Sequence, residues 1–131
     1  MFRLLLFVCL THLVVGRTIS GRVLLNGNST TTTSLPKNCQ LLIQLSNVGI
    51  ADGAAPVLAS VQYPNVASFP ISYRLTFPSV TAVPSNFLAL SAHITCSNGD
   101  RYMNDYRVTV PDEDDVDSVV NINVLNIHKT T

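Results

Sequence analysis

The clearest periodic pattern in the chain lies in residues 69–77, which read FPISYRLTF. Every second position from Phe69 to Phe77 carries an apolar or aromatic side chain, and Pro, Ser, Arg and Thr stand between them. Successive side chains of a β-strand point to opposite faces, so this alternation predicts a strand with one buried and one solvated face. The chain is therefore expected to contain a sheet that covers an apolar core.

Other segments show the same period of two and are separated by short runs rich in Gly, Pro, Asn and Ser. They are residues 18–25, 39–48, 56–63, 87–96, 101–110 and 119–127. The pair Asn98-Gly99 predicts a β-hairpin, because Asn-Gly favours the tight turns that join antiparallel strands. About seven short strands with turns between them predict an all-β fold, either an antiparallel β-sandwich or a partly open barrel.

Length and composition limit the functions that the protein can have. The chain has 131 residues, of which 47% are hydrophobic and 12% are charged, with a formal net charge of +0. This length fits one domain, and the high apolar fraction excludes a disordered chain. Lys and Arg together number 8, as do Asp and Glu. No basic excess is available to neutralise phosphates, so we expect no nucleic-acid partner.

The start of the chain is typical of a secretory signal peptide. One positive charge is followed by the apolar residues 4–10 (LLLFVCL), and the small residue Gly16 precedes the predicted cleavage point. The apolar stretch is too short for a membrane helix, and no later run approaches that length. We therefore predict a signal peptide over residues 1–16 and one domain over residues 17–131. The mature chain is expected to be secreted, extracellular and without a transmembrane segment.

Cleavage after residue 16 would leave two cysteines, Cys39 and Cys96. An even number of cysteines in an oxidising compartment favours a disulfide. Both are in phase with the apolar positions of their strands, so both thiols are expected to face the interior and to join facing sheets. Two buried free thiols are the alternative. His93 points to the opposite face from Cys96, so the pair does not predict a catalytic cysteine.

Acidic residues cluster in residues 112–117, DEDDVD. Asp112, Asp114 and Asp115 are weak candidates for calcium ligands, since calcium binds several carboxylate oxygens. The segment lacks the ligand spacing of an EF-hand loop, and clusters of like charge are usually solvated connections. We therefore predict no metal site.

Other polar residues near turns and strand ends have structural or binding interpretations. Asp52 and Asp105 are expected to accept hydrogen bonds from loop N–H groups. Tyr102 and Tyr106 would share a strand face with Asn104 and could line a binding surface, with core packing as the alternative. No nucleophile or metalloprotease motif accompanies these residues, so we predict no catalytic residue, no cofactor and no enzymatic activity.

Three blocks of sequence carry a family resemblance. They are residues 44–57 (QLSNVGIADGAAPV), residues 69–75 (FPISYRL), and the pair 90–94 (LSAHI) and 99–105 (GDRYMND). In order and spacing they resemble the L-x-D-V-S-L-A-D-A-P-A-P-V, P-x-x-F-x-L and S-A-R-I … G-x-L-x-F-x-N-D motifs of the bacterial YbaY/YscW lipoprotein family, which includes type III secretion pilotins. One departure is Asn47, which stands where that family often has Asp.

The resemblance implies a small β-sandwich in a periplasm-like or extracellular space, without enzymatic activity. The best-understood members of the family are lipid-anchored chaperones for outer-membrane secretins. This chain has no acylation cysteine at its predicted mature N-terminus, because Cys9 lies inside the apolar stretch of the signal peptide. We predict a secreted, non-lipidated binding or chaperone-like module whose partner is an unknown protein or surface. The alternatives are a carrier of an apolar small ligand and a small hydrolase using Asp52 or Asp105.

The motif Asn28-Ser29-Thr30 is an N-glycosylation sequon in the polar loop of residues 26–37, where a glycan would be accessible. An unmodified hydrophilic loop is the alternative. We expect protein secreted from a eukaryotic host to lose mass on treatment with peptide N-glycosidase. The Asn28→Gln variant should lose no mass on the same treatment. Untreated and treated wild-type samples of equal mass would contradict the prediction.

Overall fold

The structure is a computed structural model that describes residues 16–49, 55–78, 87–110 and 117–127. Within these residues the chain forms β-strands and no α-helix. The strands are β1 Gly16–Leu25, β2 Thr33–Ser34, β3 Cys39–Asn47, β4 Val57–Tyr63, β5 Ser68–Phe69, β6 Ile71–Pro78, β7 Leu88–Cys96, β8 Arg101–Met103, β9 Val108–Thr109, β10 Ser118–Val119 and β11 Ile122–Asn126. The predicted all-β fold is confirmed.

One strongly curled sheet, shaped as a half-barrel, contains the described strands except β2 and β5, which form a small second sheet. Its order from edge to edge is β4-β3-β7-β8-β11-β1-β6, in which β9 lies beside β8 along β7, and β10 lies beside β11 along β1. This is the partly open barrel among the predicted architectures. The expectation of purely antiparallel pairing is wrong in one place, because β1 runs parallel to both β10 and β11.

The structure divides three of the predicted strands into shorter ones. The cis peptide bond between Phe69 and Pro70 separates β5 from β6. Residues 104–107 separate β8 from β9, and Val120 with Asn121 separates β10 from β11. In addition, β2 forms inside the predicted polar loop by pairing with β5. The hairpin predicted at Asn98-Gly99 is present between β7 and β8.

The inward positions of the strands meet in one apolar core. In β6 the predicted alternation is complete, since the apolar positions of residues 71–77 are buried and the polar positions between them are exposed. The largest fully buried side chains are Phe69, Ile19, Leu41, Ile43, Leu45, Leu75, Leu90, Ile94, Ile122, Val23, Val124 and Cys39. They belong to a single cluster, so the described strands enclose one core.

Cys39 and Cys96 form a disulfide, with 2.06 Å between the two sulfur atoms. The predicted bridge is confirmed, but the expectation that it joins facing sheets is wrong. The two residues are direct partners on the neighbouring strands β3 and β7, with their Cα atoms 4.0 Å apart. Strand phase shows that a side chain faces inward, but it does not distinguish an adjacent strand from the opposite wall of the core.

Gly21, in the middle of β1, lies against the main chain of Val120. A Cβ atom on Gly21 would lie 2.0 Å from the carbonyl oxygen of Val120 and 2.6 Å from its carbonyl carbon. Tyr73, the partner of Gly21 on β6, donates its hydroxyl hydrogen to the same oxygen at 2.5 Å. Burial, with a smaller contribution from Tyr63, raises the pKa of the Tyr73 hydroxyl, which therefore stays a donor. Glycine is required at position 21 because the main chain of Val120 approaches β1 so closely.

Replacing Gly21 with alanine should therefore destabilise the fold. The added methyl group meets backbone atoms that cannot rotate away, and we expect a loss of about 2 to 3 kcal/mol in the free energy of unfolding. Chemical denaturation of Gly21→Ala against the wild type measures this loss. The control Ser20→Ala, one position away on the same strand, should change the unfolding free energy by less than about 1 kcal/mol. Equal stability of Gly21→Ala and Ser20→Ala would contradict the close approach.

The disulfide closes a loop of 57 residues. By chain entropy alone, a loop of this length contributes about 4 kcal/mol, because the bridge restricts the unfolded chain. We expect the Cys39→Ala/Cys96→Ala double variant to lose an amount of this order in denaturant titrations. A free-thiol titration of the denatured, unreduced mature protein should find no thiol. Two titratable thiols per mature chain would contradict the bridge.

Candidate functional site

Residues 104–107 leave the sheet although the strands on both sides of them remain paired with β7. The side-chain oxygen of Asn104 accepts a hydrogen bond from the N–H of Ala92 at 3.0 Å. Its side-chain nitrogen donates to the carbonyl oxygens of Leu90 at 3.5 Å and of Tyr106 at 2.9 Å. Ala92 lies on β7 between the partners of β8 and those of β9, and Leu90 is the partner of Val108 on β9. The amide of Asn104 therefore replaces a main-chain partner at the break in the sheet.

Because Asn104 holds the base of this loop, the residues that follow it project from the sheet. Asp105 and Arg107 are exposed, and Tyr106 between them is 78% exposed. An exposed tyrosine on a supported loop offers an apolar ring and a hydroxyl group at a small cost in conformational entropy. The loop thus presents the kind of side chain that often dominates the energetics of protein interfaces.

An open cleft of about 330 Å³ adjoins this loop. Its lining residues are Asn26, Asp105, Tyr106, Asn123 and Leu125, which we call the Tyr106 surface. Leu125 on β11 is 36% exposed, and the other residues supply amide, carboxylate and hydroxyl groups. The surface thus combines apolar and polar groups, as protein-binding surfaces do.

The two edges of the half-barrel, β4 and β6, form a second feature, which we call the β4–β6 seam. No main-chain ladder joins these strands in the described part of the chain. The hydroxyl oxygen of Tyr63 accepts a hydrogen bond from the N–H of Arg74 at 2.8 Å, and the hydroxyl group donates to the carbonyl oxygen of Arg74 at 3.2 Å. The inner positions of β4, Ala59, Val61 and Tyr63, are only half-buried. A side chain therefore spans the gap that another strand would close.

A second cleft, of about 320 Å³, lies between the loops of residues 35–38 and 65–67. Like the cleft beside Tyr106, it is open to solvent, and the side chains of the described strands fill the space between them as one core. These clefts belong to the surface of the molecule, so neither is an enclosed chamber for an apolar ligand.

The residues that the sequence singled out, as far as the structure describes them, do not come together in one site. Asn28 is exposed, and its side-chain oxygen accepts hydrogen bonds from the N–H groups of Thr30 at 3.0 Å and Thr31 at 3.1 Å. These bonds use the amide oxygen of Asn28, whereas an N-linked glycan attaches to its nitrogen. Glycosylation at Asn28 stays a prediction.

The predicted loop carboxylates are in different situations. Asp105 is exposed, and the hydrogen bonds that anchor its loop are made by the neighbouring Asn104. Asp52 lies outside the described residues, as do the calcium candidates, which are Asp112, Asp114 and Asp115. Their roles stay predictions. The Asn-Asp pair of the family-like hairpin was the available signal for Asn104, but its side-chain bonds depend on β7.

Tyr102 and Tyr106 do not share an environment, because the strand ends before Asn104. Tyr102 is buried and packs edge-on against Phe69, with 5.3 Å between the ring centroids. Burial raises the pKa of the Tyr102 hydroxyl, and the nearby Asp100 adds to this effect. Core packing is thus the correct interpretation of Tyr102, whereas Tyr106 is on the surface.

Among residues 16–49, 55–78, 87–110 and 117–127, no three His, Cys, Asp or Glu side chains are grouped closely enough to hold a metal ion. In the same part of the chain, no helix has the length and hydropathy needed to cross a bilayer.

Comparisons with known proteins identify relatives of this fold. A family model described as the type III secretion system lipoprotein chaperone YscW matches residues 16–122. The structure of an alternative pilotin from the type II secretion system of Vibrio cholerae superposes with a TM-score of 0.71, covers 87% of this chain and 99% of that chain, and is 23% identical in sequence. At that identity, the similarity shows a shared fold. No curated protein sequence matches significantly.

A second solved structure, the shaft pilin SpaA from Lactobacillus rhamnosus GG, superposes with a TM-score of 0.37, too low to bear on the fold. It is 11% identical and covers 90% of this chain and 52% of that chain. The family-model match, in contrast, extends from the first residue of β1 to the first residue of β11. The resemblance found in the sequence is thereby confirmed: the chain belongs to the YscW family of type III secretion system lipoprotein chaperones.

Proposed function

We propose that this protein is an exported, non-enzymatic, chaperone-like module that binds a protein partner through the Tyr106 surface. Membership of a family of secretion chaperones supports the general role. The similar fold of a Vibrio cholerae pilotin makes a component of a secretion machinery the first class of partner to test. Nothing in the described residues favours the hydrolase alternative by a specific arrangement of groups.

The Tyr106 loop is the observation that carries the choice of surface. Most exposed loops are held only by their ends, but Asn104 ties this one to β7 through two side-chain hydrogen bonds and to Tyr106 through a third. A loop that is already ordered loses little conformational entropy when it binds. The 78% exposure of Tyr106 leaves most of its ring available for burial against a partner.

Export and the absence of a lipid anchor are further parts of the proposal. The predicted signal peptide of residues 1–16 and the Cys39–Cys96 disulfide both favour an oxidising compartment, because thiols stay reduced in the cytosol. Cleavage after Gly16 would leave Arg17 at the N-terminus and remove Cys9 with the leader. The mature protein would then bind its partner without membrane attachment.

Site-specific crosslinking tests the proposed surface. We expect a photoreactive benzoylphenylalanine in place of Tyr106 to capture one dominant protein from the fluid into which the chain is exported. With that partner purified, Tyr106→Ala should raise the dissociation constant about 30-fold, a loss of affinity typical of an interface hot spot. Isothermal titration calorimetry measures the dissociation constant of each variant, and thermal melts confirm that each one is folded.

Val119 provides a matched control. Like Tyr106 it is a large hydrophobic residue that is 78% exposed, but it lies on β10. Val119→Ala should leave the dissociation constant within twofold of the wild type. Stronger crosslinking from position 119 than from position 106, or an unchanged affinity of Tyr106→Ala, would overturn the proposed surface.

A further inference from the structure

The hydrogen bonds of β1 show in which direction the main-chain N–H and carbonyl groups of β6 point. Thr18, Ser20 and Arg22 direct main-chain groups away from β6: the N–H groups of Thr18 and Arg22 and the carbonyl oxygen of Ser20 bond to residues 117–121 at 3.1, 2.9 and 2.7 Å. In an antiparallel ladder, two residues that face each other either exchange both main-chain bonds or direct both groups to the far side. The residues that pair with these three on β6 must therefore direct their main-chain N–H and carbonyl groups away from β1.

Those partners are Thr76, Arg74 and Ser72 on β6. Their N–H and carbonyl groups accordingly point into the β4–β6 seam. The two bonds between the Tyr63 hydroxyl and the main chain of Arg74 confirm this direction independently. The edge thus offers three pairing positions in register, spaced about 6.8 Å apart as alternate residues of a strand are.

Among the described residues, one of the three positions has a hydrogen-bond partner, the side chain of Tyr63. Within the described residues, β6 pairs only with β1, so the seam-facing groups of Ser72 and Thr76 have no strand beside them. Pro70 and Pro78 stand at either end of this edge and lack an N–H group. An added strand could pair with residues 71–77, a length of about seven residues.

We propose that the free edge of β6 takes up an extended segment of the protein partner by strand addition, and that the Tyr63 hydroxyl holds the place of that segment in the free protein. This inference rests on the proposed function in one respect, that the partner is a protein. An extended polypeptide can bond to all of these main-chain groups together, because every second residue of a strand presents its N–H and its carbonyl group to the same side.

The side chains around the seam define the sequence of that segment. Residues facing inward would cover the half-buried Ala59 and Val61, and so should be apolar. Residues facing outward would lie beside Ser72, Arg74 and Thr76, which are exposed. An acidic residue beside Arg74 would complement its charge.

Insertion requires a small opening of the seam. β4 and β6 come within 8 Å of each other, measured between Cα atoms. Two strands that flank a third are about 9.6 Å apart, so β4 must move outward by at least about 2 Å. Among the described residues, the Tyr63–Arg74 bonds are the hydrogen bonds that connect the two strands. Breaking them is therefore the step that frees the edge.

A designed peptide tests the proposal without the natural partner. The probe is a fluorescein-labelled heptapeptide, Val-Thr-Val-Glu-Val-Thr-Val, and its binding to the mature protein is followed by fluorescence anisotropy up to 1 mM peptide. Glu opposite Arg74 places the N–H groups of the Thr and Glu residues towards β6. N-methylation of those three amides should weaken binding at least tenfold, because it removes the donors that face β6.

Variants of the protein test the same main-chain hydrogen bonds by changing β6 and Tyr63 instead of the peptide. Thr76→Pro removes a seam-facing N–H and should weaken peptide binding at least tenfold, while Thr76→Ala should leave it within twofold. Both variants lose the 3.1 Å contact between the hydroxyl groups of Thr18 and Thr76, so they differ in the main-chain donor. Tyr63→Phe frees the main chain of Arg74 and should tighten binding about threefold or more.

Amide hydrogen exchange gives the decisive readout and remains valid if Thr76→Pro fails to fold. Bound peptide should slow exchange at Ser72 and Thr76. No binding to either the wild type or Tyr63→Phe, or binding without that protection, would overturn strand addition. A partner captured through Tyr106 that leaves both amides unprotected would overturn the inference and leave the proposed function standing. Peptide binding with these effects but no partner at Tyr106 would support the inference and contradict the proposed surface.

Discussion

A main-chain N–H or carbonyl group of a strand needs a hydrogen-bond partner, and at several places in the described part of this half-barrel a side chain takes the position of a neighbouring strand. The Tyr73 hydroxyl bonds to the carbonyl oxygen of Val120 where β10 passes into β11. The side chain of Asn104 bonds to β7 where β8 ends. The Tyr63 hydroxyl bonds to the main chain of Arg74 at the open edge. At each of these three breaks in the ladder, a polar side chain bonds to the main chain.

Two of these breaks coincide with the features to which we assign function. At Asn104 the loss of main-chain pairing releases a loop that exposes Tyr106, and the amide keeps that loop ordered. At the seam the loss of pairing leaves an edge, and Tyr63 satisfies one position of it. The third break is enclosed by Gly21 and Tyr73, and its role is to let β1 pair with two successive strands on one side. The proposed protein-binding role therefore rests on the places where the sheet is incomplete.

The site was harder to predict from the sequence than the fold. Residues 99–105 identified a hairpin, and Asn104 was visible in it, but its bonds to β7 depend on a strand ten or more residues away in the chain. Tyr63 carries no local signal of its contact with Arg74, because the contact forms only when the sheet curls. Arg17, at the predicted N-terminus of the mature chain, is buried beside Phe77 and bonded to Ser118 through contacts of the same long-range kind.

The sequence by itself determined the strands, their buried faces and the pairing of Cys39 with Cys96, because alternation and cysteine number are local properties of a chain that must bury one face of each strand. It also carried the family resemblance, which lies in short motifs. Only the tertiary structure decided that the disulfide joins adjacent strands, that β1 has parallel neighbours and that β4 and β6 do not pair with each other. Those facts depend on sheet order and curvature, which result from contacts between distant segments and leave no periodic signal in the sequence.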